Sequence, residues 1–292
     1  MTSTQPPRAR RSALYLPASN ARAVEKARSL AADAVILDLE DAVLPESKLA
    51  ARAAAVAAVD AGGFGRREVV IRVNGLDTAW GADDLAAVAR SAATAVLIPK
   101  VASAAGLAQA VARLDAAGGG RIDVWAMAEL PAAVLALDAI AAANPRLRVV
   151  AMGTADLCKA MRVPADPDRS ALLPALALCL LAARARGLDI LDGVHTDLRD
   201  TTGYRSACEQ GKALGFDGKT LIHPSQIPVA NEVFGVSAEA AAEAARLIAV
   251  WEAAAADGRG IALLDGRMVE GLHAEEARRV LALRAAQANQ EN

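Results

Sequence analysis

Residues 34–40 read AVILDLE, a short apolar run that ends in acidic side chains. Similar runs recur along the chain at intervals of 22 to 41 residues, separated by stretches rich in alanine, leucine and arginine with helical periodicity. Because the runs are apolar almost throughout rather than alternating, they predict parallel strands covered on both faces. The eight runs are residues 12–17, 34–40, 68–74, 95–100, 123–129, 147–153, 188–194 and 216–222.

Eight strands that alternate with helices predict an α/β fold, the (β/α)₈ TIM barrel, over residues 1–234. A doubly wound open sheet is the competing fold. It would usually have a glycine-rich turn after its first strand, whereas residues 18–23 read ASNARA. Residues 235–292 are predicted to form a C-terminal helix–loop–helix extension, which we expect to dock on the barrel, on a neighbouring subunit, or on both.

The composition excludes several classes of protein. Hydrophobic residues make up 54% of the 292 residues and charged residues 23%, which is typical of a globular chain. A formal net charge of −2 argues against a nucleic-acid partner. The longest apolar stretch, residues 171–183, is too short to span a membrane. Three cysteines without metal-like spacing and no recognisable signal peptide predict reduced thiols in a cytoplasmic protein.

Ionisable side chains follow most of the predicted strands, at the end where barrel enzymes place their active sites. Glu129 and Asp156 are 27 residues apart, one strand–helix–strand unit, so we expect them on neighbouring strands. Two carboxylates without a softer ligand suit Mg²⁺, although each could instead cap the following helix. The ionisable residues at this face are Asp38, Glu40, Asp41, Arg72, Lys100, Glu129, Asp156 and His223.

Arg72 is the expected counter-charge, because a guanidinium binds a substrate carboxylate through two parallel hydrogen bonds. The alternative is a structural salt bridge to Asp38 or Glu40, and the two roles can coexist. A Schiff-base role for Lys100 is disfavoured, since that chemistry does not need the paired carboxylates. His223 is as consistent with a structural hydrogen bond as with catalysis.

Several stretches resemble the citrate lyase β-subunit and malyl-CoA lyase branch of the HpcH/HpaI aldolase superfamily. LDLEDAV at residues 37–43 and GKTLIHPSQI at residues 218–227 are the most specific, and further matches such as VVIRVNG, AVLIPKV and LLDGRMVEG cover nearly the whole chain in order. The resemblance implies a Mg²⁺-dependent barrel, with Mn²⁺ able to replace the Mg²⁺. It also implies a homotrimer or hexamer that acts on β-hydroxyacyl thioesters of coenzyme A or of an acyl carrier protein.

The resemblance also implies roles for single residues. The sequence departs from the family pattern at Thr154 and Ala155, and around Glu129, and both changes touch the pocket wall. The matching positions are Glu129 and Asp156 as metal ligands, Arg72 for the keto-acid carboxylate, Glu40 and Asp41 for the waters of the metal, Tyr15 and Lys26 for the coenzyme A moiety, and Asp265 as a residue that reaches a neighbour's active site.

These roles predict a Mg²⁺-dependent carbon–carbon lyase. It would cleave or form a short β-hydroxyacyl-CoA such as malyl-, citramalyl- or citryl-CoA, giving an acyl-CoA and an α-keto acid. Asp265 is the expected base, because a carboxylate bound to a metal is a poor one. A thioesterase acting on the same thioesters, and the β-subunit of a citrate lyase complex, remain as alternatives.

Overall fold

The computed structural model describes residues 8–164, 166 and 168–291. Among the described residues, 10–234 form one compact unit, and 235–291 form a second together with Arg8 and Ala9. No helix in the described part of the chain is long and apolar enough to cross a membrane.

The first unit is a closed barrel of eight parallel strands, in which each strand pairs with the next and the eighth pairs with the first. The predicted (β/α)₈ barrel is therefore confirmed. The strands are β1 Ser12–Pro17, β2 Ala34–Asp38, β3 Glu68–Arg72, β4 Ala95–Ile98, β5 Asp123–Ala128, β6 Leu147–Met152, β7 Asp189–Asp192 and β8 Gly218–Leu221.

Helices follow every strand, and two helices follow β6. Short 3₁₀ helices at Pro45–Ser47 and Pro224–Gln226 precede α2 and α9. The α-helices of this unit are α1 Ala21–Ala27, α2 Lys48–Asp60, α3 Gly81–Arg90, α4 Ala104–Ala116, α5 Pro131–Ala142, α6 Thr154–Met161, α7 Leu173–Ala185, α8 Thr201–Leu214 and α9 Ile227–Phe234.

Two apolar layers explain why the strand sequences are apolar almost throughout. One set of side chains, including Ile36, Leu97 and Trp125, packs together as a separate buried cluster inside the barrel. The strand residues between them, such as Val35 and Ile71, belong to the larger cluster that includes the helices. Since successive side chains of a strand point to opposite faces, a barrel enclosed by helices requires apolar residues on both.

The amino-terminal end of the barrel is held by ion pairs of Arg10 and Arg11. The Arg10 guanidinium lies 5.7 Å from the Trp125 ring centroid and forms salt bridges with Glu68 and Asp189. Arg11 makes a bidentate pair with Asp33, with both nitrogen–oxygen distances 2.9 Å. These contacts connect the residues just before β1 to several strands of the barrel.

The second unit contains α10 Ala238–Ala256, α11 Gly271–Glu291 and, between them, an antiparallel hairpin of β9 Ala262–Leu264 and β10 Arg267–Val269. The sequence predicted only a loop at this place. Asp265 and Gly266 both have positive φ angles, +50° and +76°, as a type I′ turn requires. The Asp-Gly dipeptide is a hairpin signal that the sequence analysis missed.

Gly218 provides a test of barrel closure. A Cβ atom at this position would lie 1.9 Å from the carbonyl oxygen of Arg10 and 2.7 Å from that of Arg11. We expect Gly218→Ala to lower the free energy of unfolding by about 2–3 kcal/mol, because the backbone of β8 or that of Arg10 and Arg11 would have to move. Urea unfolding measures this. Gly120→Ala is the control, since a Cβ there meets nothing within 4 Å; equal stability of the two variants would contradict the argument.

Candidate active site

The carboxyl ends of strands β2 to β6 bring together five carboxylates, here called the acid cluster: Asp38, Glu40, Asp41, Glu129 and Asp156. Asp38 is the last residue of β2, and Glu129 directly follows β5. Asp156 lies in the first turn of α6, immediately after β6. The strand ends thus place the predicted residues on one rim of the barrel, the rim where function collects in this fold.

Arg72 and Asp38 form a bidentate ion pair beneath this rim. The two residues are register partners on β3 and β2, and Arg72 Nε and Nη2 donate to the two Asp38 oxygens at 2.7 Å each. The guanidinium also lies 4.8 Å from the Tyr15 ring centroid and is only 7% exposed. Burial lowers the pKa of Arg72, but its hydrogen bonds to Asp38 and the nearby negative charges outweigh this effect and raise the pKa, so Arg72 stays charged.

The remaining nitrogen of Arg72 faces the other acidic residues. Arg72 Nη1 lies 3.0 Å from Glu40 Oε2 and donates to Asp41 Oδ2 at 3.4 Å. Lys100 Nζ donates to the other oxygen of Glu40. Burial nevertheless raises the pKa of Glu40 above its ordinary value, against the effects of Arg72 and Lys100. The salt bridge expected as an alternative role for Arg72 is therefore present, and its Nη1 side is still directed at the rim.

The loop that carries Glu40 is fixed from below by side chains that the sequence analysis did not single out for this role. Lys48 is buried, and its Nζ donates to the backbone carbonyls of Leu39 and Glu40 at 2.8 and 2.7 Å. Asn74 Nδ2 donates to the same Leu39 carbonyl at 3.0 Å and to Asp84 at 2.7 Å. Burying an ammonium costs free energy, and the two hydrogen bonds offset part of that cost while they hold the backbone of Leu39 and Glu40 in place.

Glu129 is fully buried and only half satisfied. Its Oε1 accepts a hydrogen bond from the backbone N–H of Lys100 at 2.6 Å, while Oε2 has no hydrogen-bond partner among the described residues. A Cβ at residue 153 would lie 2.7 Å from Oε2, so Gly153 leaves space that any other residue would fill. Burial raises the pKa of Glu129 to about 7, and the charges of Glu40 and Asp156 contribute in the same direction.

The surroundings of Glu129 and Asp156 fit a divalent cation better than helix capping. The N-cap residues of α5 and α6 are Leu130 and Gly153, and neither helix start has a side-chain capping hydrogen bond in the described chain. An orphaned buried carboxylate oxygen beside a second negative charge is the arrangement that a cation stabilises. Within the described residues no three Asp, Glu, His or Cys side chains form a complete ligand set. Two carboxylates completed by water or substrate oxygens are the usual Mg²⁺ arrangement.

Other predicted residues lie in different surroundings. The Tyr15 hydroxyl lies 3.8 Å from Met127 Sδ, so this ring packs below Arg72 inside the barrel. Lys26 is an exposed residue in the last turn of α1. The His223 ring caps the 3₁₀ helix at Pro224–Gln226, which is a structural role. Asp265 lies in the second unit, where it accepts a hydrogen bond from Arg246 at 2.8 Å.

Comparison with known proteins gives consistent matches. Residues 11–224 match the family model described as HpcH/HpaI aldolase/citrate lyase. A (3S)-malyl-CoA thioesterase of Cereibacter sphaeroides is 50% identical over 93% of each chain, and the citrate lyase subunit beta of Escherichia coli K12 is 35% identical over 94% of this chain and 93% of that one. The solved structure of Mycobacterium tuberculosis CitE with magnesium, acetoacetate and coenzyme A has a TM-score of 0.77 and 33% identity, covering 95% of this chain and 98% of that chain.

These comparisons correct the predicted reaction. The expected main activity, a carbon–carbon lyase reaction, is wrong, because the relatives at about 50% identity are named thioesterases. The alternative reading as a thioesterase agrees with them better. The features on which the lyase prediction depended, two carboxylates for a cation and an arginine for a carboxylate, are features that both reactions would use. They do not specify which bond of the substrate breaks.

The raised pKa of Glu129 predicts how stability depends on pH in the metal-free protein. Between its ordinary value of 4.5 and the folded value of about 7, the folded state holds a proton that the unfolded state has released. The free energy of unfolding should therefore fall as the pH rises through this window, by about 3 kcal/mol from this group. Glu129→Gln should remove that fall and be the more stable protein at pH 8, although inactive.

Urea unfolding in EDTA at pH 5 and pH 8 measures the difference between wild type and Glu129→Gln. Saturating Mg²⁺ at pH 8 should stabilise the wild type and leave the variant unchanged, because a ligand stabilises only the folded state that binds it. If the free energy of unfolding changes with pH in the same way for both proteins in EDTA, the pKa of Glu129 is not raised in the folded protein.

Proposed function

Because the chain belongs to the HpcH/HpaI aldolase/citrate lyase family, we propose that it is a Mg²⁺-dependent thioesterase that hydrolyses a short β-hydroxyacyl-CoA such as (3S)-malyl-CoA. The observation that carries this choice of reaction is the 50% identity to a (3S)-malyl-CoA thioesterase over 93% of both chains. The rim of the barrel supports the substrate class, because it combines two carboxylates suited to a cation with a buried arginine whose Nη1 faces the same acid cluster.

In this proposal Glu129 and Asp156 hold the Mg²⁺, and Glu40 and Asp41 hydrogen-bond to its waters. The orphaned oxygen of Glu129 and the raised pKa of its carboxyl support this assignment. When bound, the ion stabilises negative charge that develops on a substrate oxygen, by several kcal/mol in typical sites. The chain contributes the fixed orientation of the two ligands and the neutralisation of the remaining carboxylates.

Arg72 binds the carboxylate of the acyl group in this proposal. Its Nε and one Nη2 hydrogen are committed to Asp38, so the substrate carboxylate approaches the Nη1 side, where Glu40 and Asp41 now lie. The Tyr15 ring fixes the plane of the guanidinium from one face. The exposed ammonium of Lys26 suits a phosphate of coenzyme A. Tyr15 acts at the acyl end instead, because its ring packs on the Arg72 guanidinium that binds the acyl carboxylate.

Hydrolysis needs a water whose oxygen attacks the thioester carbonyl carbon. The carbon–sulfur bond breaks, the coenzyme A thiolate takes up a proton, and the products are the free hydroxy acid and coenzyme A. Asp265 is the proposed base for this water, because a carboxylate bound to the cation is a poor base. Asp265 is exposed at the tip of the β9–β10 hairpin. We propose that it reaches the acid cluster of a neighbouring subunit in a homotrimer or hexamer.

The reaction is tested by scoring both possible products separately. Full-length protein with Mg²⁺ and (3S)-malyl-CoA should release free coenzyme A and malate in equal amounts, with no glyoxylate. The same assay with citramalyl-, β-methylmalyl- and citryl-CoA defines the acyl group. EDTA should abolish the activity, and Mg²⁺ should restore it. Formation of a keto acid in proportion to an acyl-CoA would refute hydrolysis as the reaction of this chain.

The proposed action of Asp265 across subunits is tested by complementation. Asp265→Ala and Glu129→Ala should each retain less than about 1% of wild-type activity, as expected for loss of a general base or of the cation. Mixing the two variants under subunit exchange should restore part of the activity, because some sites then combine an intact cation site with an intact hairpin.

Asp257→Ala is the matched control in the second unit. Asp257 is also exposed and paired with an arginine, Arg259, at 2.7 Å, but it lies outside the hairpin. This variant should remain fully active. Exchange that is verified by native mass spectrometry and restores no activity, or a monomer with full activity, would refute the action of Asp265 in trans.

A further inference from the structure

Lys100 combines an unfavourable backbone conformation with two contacts to the acid cluster. Its φ angle is +51°, a left-handed conformation that is costly for any residue with a Cβ atom. It directly follows Pro99 at the end of β4, and its side chain is 41% exposed. A lysine is an unusual choice at such a position, because glycine or asparagine adopts this conformation more easily.

The two ends of Lys100 hold two different carboxylates. The backbone N–H donates to Glu129 Oε1 at 2.6 Å, and the ammonium donates to Glu40 Oε1 and lies 3.8 Å from Asp41 Oδ1. Because Oε1 of Glu129 is occupied by this N–H, only Oε2 remains without a partner among the described residues. Lys100 therefore decides which oxygen of Glu129 is available.

We propose that Lys100 is a positioning residue that acts through its left-handed backbone to present Glu129 as a one-oxygen ligand. This inference rests on the cation site of the proposed function. The chain is fixed before Lys100 by β4 and after it by α4, so a residue that avoids positive φ must rotate the peptide between them. That rotation turns the N–H away from Glu129 and frees the carboxylate to adopt other orientations. The ammonium has a separate task, which is to balance the charge of Glu40.

The backbone role and the charge role predict different results for two variants of Lys100. Lys100→Gly removes the ammonium but accepts positive φ without strain, so it keeps the N–H in place. Lys100→Val also removes the ammonium, and its branched side chain disfavours this conformation. If the backbone positions Glu129, the glycine variant binds the cation normally and the valine variant does not. If the ammonium is what matters, the two variants fail alike.

Calorimetric titration of the full-length protein with Mg²⁺ measures the effect without any substrate. We expect Lys100→Gly to keep the Kd of the wild type within about threefold, and Lys100→Val to raise it about tenfold or more. Arg162→Val is the matched control, since Arg162 also has positive φ, +60°, at the end of α6 and makes no contact with Glu129 in the described chain. Its Mg²⁺ affinity should equal that of the wild type, whatever it costs in thermal stability.

A valine variant with wild-type affinity, or a glycine variant that loses Mg²⁺ binding although it melts like the wild type, would overturn the inference. If the valine variant fails to fold, the Mg²⁺ affinity of the glycine variant tests the inference by itself, and a loss of binding overturns it. A wild-type protein that binds no Mg²⁺ would refute the cation site and this inference together. Mg²⁺ binding that follows the expected ranking supports the inference even where the wild type hydrolyses no thioester, so the two failures are distinguishable.

Discussion

The bidentate pair between Arg72 and Asp38 is the contact around which the rim is organised. Parallel pairing of β2 and β3 makes the two residues register partners, so the closed ladder itself brings guanidinium and carboxylate together. A buried pair of this kind stabilises little against its desolvation, but it fixes geometry, because a guanidinium with two parallel hydrogen bonds cannot rotate. Tyr15 packs on one face of the guanidinium, and Glu40 and Asp41 form ion pairs with its Nη1.

The charges on the rim do not balance by themselves. Five carboxylates of the acid cluster stand against the cationic side chains of Arg72, Lys100 and Lys48 in the described chain. The imbalance is largest at Glu129, which is fully buried and whose pKa is raised to about 7. Such an arrangement is unfavourable in a metal-free protein and favourable when a divalent cation is present. The same group would thus connect the expected loss of stability at neutral pH with the proposed binding of Mg²⁺.

Cleavage of a carbon–carbon bond and hydrolysis of a thioester place the same demands on most of this site. Both reactions require a group that binds the acyl carboxylate and a group that stabilises negative charge on a substrate oxygen. The two reactions differ in whether a water molecule reaches the thioester carbonyl carbon. The residues that surround this water therefore distinguish hydrolysis from carbon–carbon cleavage. Thr154 and Ala155, where the sequence departs from the lyase pattern, lie directly beside Gly153 and Asp156, at the wall of the proposed cation site.

The sequence alone determined the barrel, because strand periodicity and helix spacing are local properties that eight repeats make unambiguous. It also determined which carboxylates reach the rim, since the carboxyl ends of successive parallel strands meet there. Only the tertiary structure showed that Arg72 forms the salt bridge to Asp38, because this contact depends on the register of two strands and joins residues 34 positions apart. The left-handed backbone of Lys100 and the buried position of Lys48 are likewise features that only the tertiary structure showed. Their partners are distant in sequence or are backbone atoms, and no residue pattern records a contact that exists only after the barrel has closed.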